Sequence, residues 1–170
     1  MNKLRSLAES TRSIMHLYLV QHGAAKSEAE DPHRGLTDEG RRDVERMAHS
    51  LAPLRLGLDR IEHSEKLRAR QTAEILAARL RPAEGTHGIA GLAPHDDVEP
   101  ACVRLQQESK NLMLVGHLPH LSHLASRLLG LDRNRAVLRF QMAGVVRLDR
   151  AETGQWEVRW VFPPELVPLR

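Results

Sequence analysis

The chain has 170 residues, 25 basic and 22 acidic, for a formal charge of +3 with histidines neutral. Scaling gives roughly 8,400 Å² of folded surface against roughly 28,000 Å² unfolded, so about 70% can be buried, which predicts a single domain over residues 15–170. The composition, 41% hydrophobic and 28% charged, excludes a disordered chain, and no apolar run approaches the ~20 residues of a membrane-spanning helix.

A lone cysteine, Cys102, leaves no internal disulfide and fits a reducing cytoplasm. Aromatics amount to 3% (Tyr18, Phe140, Trp156, Trp160 and Phe162), too few stacking platforms for single-stranded nucleic acid. Neither nucleic acid nor membrane is expected as a partner; the slight positive excess suits a phosphorylated or acidic one.

Residues 1–14 are polar, lack the apolar stretch of a secretory signal, and read as a loose extension. Met15–Val20 is a short apolar run that stops at Gln21-His22-Gly23, a buried strand ending in a polar turn. Thr37 stands where an N-cap belongs, and Val44, Met47, Ala48 and Leu51 recur at helical spacing until Pro53. A weak strand over Arg60–His63 precedes a second helix with Ala69, Thr72, Ala73, Leu76 and Leu80 on one face, closed by Pro82 and Gly85. Thr86–Ile89 is a short strand. Val98, Ala101, Cys102 and Leu105 mark a third helix with Pro100 in its first turn.

Asn111–Val115 is the second clear buried strand, ending at Gly116-His117. Leu121, Leu124, Ala125 and Leu128 form the next helical stripe, with Gly130 as its stop. Gly144–Leu148 and Trp156–Phe162 read as a strand pair. Strands alternating with helices imply an α/β three-layer sandwich: a mostly parallel sheet with helices on both faces.

Ligands of such sheets collect beyond the carboxyl ends of the strands. Two strands end there in a His-Gly pair, in opposite order: His22-Gly23 and Gly116-His117. Both histidines are expected to project into one crevice, beside glycines that let a ligand approach the backbone. Ser64-Glu65-Lys66-Leu67-Arg68-Ala69-Arg70-Gln71-Thr72 opens the second helix, placing Arg68 where helix N-terminal amides already favour an anion.

With Arg34-Gly35-Leu36-Thr37, Gly40, Gly116-His117-Leu118-Pro119 and the Trp156–Pro164 stretch, these segments resemble the histidine phosphatase superfamily, and within it the SixA-type phosphohistidine phosphatases. The resemblance covers about Met15 to Leu166 and implies a phosphoglycerate mutase-like fold. It further implies that neutral His22 attacks phosphorus to give a phosphohistidine intermediate, while Arg68 and a protonated His117 hold the phosphoryl oxygens. Gln21, Gly23 and Gly116 are then expected beside the substrate. Arg34 is either a phosphate contact or a loop salt-bridge partner. The resemblance implies no cofactor and no metal.

The sequence departs from the family at one position: relatives carry Arg-His-Gly, this chain Gln21-His22-Gly23. A charged bidentate donor is replaced by a neutral amide, and one lost transition-state donor costs about 10²–10³ in rate. Another cation compensates, or activity is low, or the fold only binds phosphate. Lys26 is the nearest candidate; Arg70 is expected to point away from Arg68.

Asp96, Asp97 and Glu84 are candidate general acids, Asp97 being equally a helix cap. Imidazole, with a pKa near 6.5, leaves far more readily than an alkoxide, so a weak acid site favours phosphohistidine in a protein, such as a histidine-phosphotransfer domain. A small-molecule phosphomonoesterase and a catalytically weakened phosphate- or phosphoprotein-binding module are the alternatives. His117, His120 and His123 do not share a helix face, which argues against zinc; His120 and His123 read as partly exposed. Cys102 falls on an apolar stripe and reads as core.

Overall fold

The structure, a computed structural model, describes residues 14–168; the expected extension over residues 1–14 lies outside them except for Ile14. Six strands, β1 (Met15–Gln21), β2 (Arg60–Ser64), β3 (Thr86–Ile89), β4 (Leu112–Gly116), β5 (Val145–Arg150) and β6 (Trp156–Phe162), form one sheet in the order β3-β2-β4-β1-β5-β6. The pairs β2–β3, β2–β4 and β1–β4 are parallel, while β1–β5 and β5–β6 are antiparallel. Four helices cover the sheet: α1 (Asp38–Leu51), α2 (Leu67–Leu80), α3 (Glu99–Gln107) and α4 (His120–Leu128). None is long and apolar enough to cross a membrane.

The apolar runs of β1 and β4 have no polar alternation because both faces are covered, as a central parallel strand requires. Leu17, Leu19, Leu112 and Leu114 share a core with Ala101, Leu105, Leu121 and Leu124 of α3 and α4. Tyr18, Val20, Met113 and Val115 share the other core with Val44, Met47, Leu51, Ala69 and Leu76 of α1 and α2. Side chains one residue apart on a strand therefore serve opposite cores, giving the three expected layers.

Thr37 does cap α1, its Oγ1 accepting from the Gly40 amide at 2.9 Å. Gly40 marks where α1 presses on the chain leaving β1: a Cβ there would stand 2.1 Å from the Ala24 carbonyl oxygen. Strand β5 runs two residues beyond the Gly144–Leu148 expectation, because Asp149 and Arg150 still pair with both β1 and β6.

Candidate active site

Because β1 and β4 are parallel neighbours in the register Gln21↔Gly116, the residue after each strand emerges at the same point on the sheet edge. The His22 amide donates to the Gly116 carbonyl at 3.1 Å, and the His22 and His117 rings meet with centroids 4.9 Å apart. Arg68, the second residue of α2, donates from Nε to His22 Nε2 at 3.2 Å. His22 Nδ1 donates to the Gly23 carbonyl at 2.7 Å. The two bonds agree on one tautomer: the proton sits on Nδ1 and the lone pair on Nε2, facing Arg68 and His117.

Thr72 ties these parts together, donating to the Arg68 carbonyl at 2.8 Å and accepting from the Gly23 amide at 3.1 Å.

Burial first, then the Arg68 and Arg34 charges, push the His22 pKa down to about 4; the bond to Gly23 only partly opposes them. His117 falls to about 3, through burial and then the neighbouring His22, Arg68, Lys66 and His120. His22 is thus neutral at pH 7. Without an anion the His117 ring is neutral, because burial and the nearby Arg68 and Lys66 charges disfavour a proton; the expected protonated His117 refers to the ring with a phosphoryl group beside it. Both its ring nitrogens are buried without a hydrogen-bond partner, as is Gln21 Oε1. Buried orphans of this kind call for an explanation. An anion beside His117 would supply one, its negative charge restoring the proton and its oxygens accepting from the ring. The Gln21 amide turned over would place its NH₂ where Oε1 now stands.

Gly23 serves packing. A Cβ on Gly23 would meet Val44 Cγ2 at 2.8 Å and the Gly40 carbonyl at 2.9 Å, so Gly23 lets α1 approach, and its amide is already taken by Thr72. A Cβ on Gly116 would lie in ordinary contact with Leu121 and the Leu92 carbonyl. The expected ligand approach to backbone at these two positions has no support in this packing.

The cations are arranged differently from the sequence expectation. Lys26 lies on an exposed loop, its carbonyl accepting from Arg34 Nε at 3.3 Å. Arg34 has a left-handed backbone, φ 51°, in a loop held by Asp31, which accepts from the Gly35 amide, and by Gln71, which accepts from the Leu36 amide. It takes no carboxylate partner among the described residues, and its charge reaches both His22 and Arg68. Arg34, Lys66, Arg68 and Arg70 border a cavity of about 730 Å³. Arg70, although 3.7 Å from Glu74, therefore stays near Arg68 at the cavity mouth. Lys66 was missed by sequence reasoning; its signal was a basic residue immediately before a helix that carries a functional arginine.

The acids stand apart. Asp96 accepts from the Ala93 amide at 2.8 Å and Asp97 from the Glu99 amide at 3.2 Å, so both stabilise the turn into α3. They border a second cavity, of about 860 Å³, with Ser64, Glu65, Lys66 and Arg104. Glu84 is bound to Lys110 and Arg60 instead. His120 corrects the expectation of partial exposure: it is wholly buried, and the Gly91 backbone approaches its ring without closing a hydrogen bond of normal geometry. It is the first residue of α4, beside Gly91 and the turn carrying Asp96 and Asp97. Among the described residues no group of three or more His, Cys, Asp or Glu is placed to hold a metal ion. The Cys102 thiol is pushed up to about 11, chiefly by burial, the opposite of an activated nucleophile.

The chain is 36% identical over 142 residues to an uncharacterised protein of Picosynechococcus sp. (strain ATCC 27264 / PCC 7002 / PR-6), across 79% of this chain and 84% of that one. It is 25% identical over 155 residues to the phosphohistidine phosphatase SixA of Escherichia coli (strain K12), across 88% and 94%. Its fold superposes with a TM-score of 0.80, at 24% identity, on the protein histidine phosphatase SixA complexed with tungstate, covering 91% of this chain and all of that one. A sequence profile of the histidine phosphatase superfamily (branch 1) matches residues 17–89, the span that carries His22, Arg34 and Arg68. With that profile, the relatives and the shared fold in agreement, the chain belongs to the histidine phosphatase superfamily, branch 1.

Proposed function

We propose that this chain, a phosphatase by family and fold, removes the phosphoryl group from phosphohistidine in a protein through a phospho-His22 intermediate. The observation that carries the reading is the tautomer of His22, with Nδ1–H held by Gly23 and the Nε2 lone pair beside Arg68 and His117.

In the first step Nε2 forms a bond to phosphorus while the substrate P–N bond breaks. Its electron pair stays on the departing nitrogen. A substrate ring protonated on its far nitrogen leaves as neutral imidazole and needs no protein acid. Arg68 swings its donors from Nε2 to the equatorial oxygens, and His117, protonated once the dianion is present, donates to another.

Gly23 keeps a proton on Nδ1 throughout, so phospho-His22 is itself a protonated phosphoimidazole. Water then attacks phosphorus, the P–Nε2 bond breaks, and His22 returns neutral; the water proton passes to the released phosphate or to solvent. The turn bonds of Asp96 and Asp97 suit a reaction whose leaving group needs little protonation.

The test is loss of label from a phosphorylated histidine-phosphotransfer domain. Wild type is expected to turn over and to trap acid-labile phosphate on itself. His22→Ala should trap none and lose at least about 10⁴-fold in rate. Label loss unchanged by His22→Ala overturns the mechanism. Hydrolysis of phosphate esters alone, abolished by Asp96→Asn or Asp97→Asn, moves the reading to a phosphomonoesterase. Phosphate binding without any hydrolysis moves it to a binding module.

A further inference from the structure

We propose that Lys66 is a third cation of the phosphate site, its ammonium closing on the phosphoryl oxygens from the mouth of α2 and supplying the charge that Gln21 lacks. This rests on reading the His22–His117–Arg68 cluster as the phosphoryl site.

Lys66 is the last extended residue before α2 (φ −68°, ψ 136°), and its carbonyl accepts the Ala69 and Arg70 amides. Its backbone is therefore fixed by the helix start two residues before Arg68, while its side chain is exposed and free to swing. It lines both cavities, the one shared with Arg34 and Arg68 and the one shared with Asp96 and Asp97, so it stands on the wall between them. Other basic residues near β2 are neutralised: Arg60 by Glu62 and Glu108, Arg104 by Glu62, Lys110 by Glu84. Lys66 has no carboxylate within ion-pair distance among the described residues, Glu65 included. Its charge reaches His117, depressing that ring's proton affinity after burial, His22 and Arg68.

Position 21, immediately before His22, is a neutral amide with a buried unpaired oxygen. An ammonium on a long flexible stem is a point charge that follows a tetrahedral anion without demanding bidentate geometry. A phosphoryl dianion bridging His117 and Arg68 gives Lys66 the ion-pair partner that none of the described carboxylates supplies.

The experiment is a double-mutant cycle on the affinity for inorganic phosphate, measured by calorimetry on the full chain. Its members are wild type, Lys66→Gln, Gln21→Arg and the double variant, with Lys66→Arg as the conservative control. Lys66→Gln is expected to weaken binding about tenfold, in keeping with a charge-assisted hydrogen bond. Lys66→Arg should stay within about threefold. Gln21→Arg should restore most of the loss in the Lys66→Gln background and add less to wild type. Thermal melting of each variant checks the fold, which an exposed side chain should not alter.

Affinity of Lys66→Gln within twofold of wild type, or strict additivity of the two substitutions, overturns the proposal. If wild type hydrolyses no phosphohistidine yet the cycle shows coupling, the functional reading falls and Lys66 stands. If turnover is observed while Lys66→Gln changes neither phosphate affinity nor kcat/KM, Lys66 falls alone. Absence of phosphate binding by wild type overturns both.

Discussion

Two neutral histidines in contact are a liability in acid, and the cost can be measured at His22. In the unfolded chain His22 takes up a proton near its ordinary pKa of 6.5; in the folded chain it does so only at about 4. Between those values the unfolded state binds more protons, so stability rises with pH and falls on acidification. The contribution is fully present above 6.5 and is lost as pH drops through the window toward 4. At about 1.4 kcal/mol per pH unit the whole window is worth roughly 3 kcal/mol. Residual solvent access to a residue that is 9% exposed trims this to about 2–3 kcal/mol.

The perturbation is His22→Asn, whose amide keeps a donor close to the position of Nδ1 and so preserves the bond to Gly23. Urea denaturation of wild type and variant at half-unit steps from pH 7 to pH 4 gives the assay. Titration of His120 and the carboxylates enters both curves and largely cancels in the difference, whereas His117 cancels only in part, because His22 is itself a cause of its lowered pKa. The wild type should lose about 2–3 kcal/mol more than the variant over that range. A difference that stays constant within about 0.5 kcal/mol would show that the ring is not buried neutral, and the nucleophile argument would fail with it.

Two further outcomes follow from the geometry. Gly40→Ala forces a Cβ against the Ala24 backbone, which α1 can relieve only by moving; we expect a loss of about 1–3 kcal/mol in chemical denaturation, with reduced turnover because the displaced segment carries His22. Arg68→Lys keeps the charge but loses the Nε bond to His22 and the planar donor pair; kcat/KM should drop about 10²–10³-fold at an unchanged melting temperature, and a drop under tenfold would remove Arg68 from the reaction.

Every helical stripe and both buried strands were legible because their signals are local. Val44, Met47, Ala48 and Leu51 repeat at 3.6 residues, Thr37 offers an oxygen to an amide three residues on, and the apolar runs before His22 and Gly116 have no polar alternation to place them on a surface. The roles of individual small and charged residues were less legible. Gly23 read as a ligand-approach glycine, and sequence cannot say that it also lets α1 close in, with Val44 and Gly40 occupying the space of a Cβ. His120 looked partly exposed, since nothing local distinguishes the buried side of α4 from the solvent side at its first turn. Lys66 went unnoticed because its place on the wall of the cavity beside Arg34 and Arg68 depends on the fold, not on the local sequence.

The amino-acid order alone determined the alternation of strands and helices and the strand-end placement of His22 and His117, because periodicity and chain breakers act over a few residues. Only the tertiary structure decided that β1 lies next to β4 with Gln21 opposite Gly116, which sets the two imidazoles 4.9 Å apart. It also decided their protonation, since desolvation and the reach of neighbouring charges depend on what surrounds a ring in three dimensions.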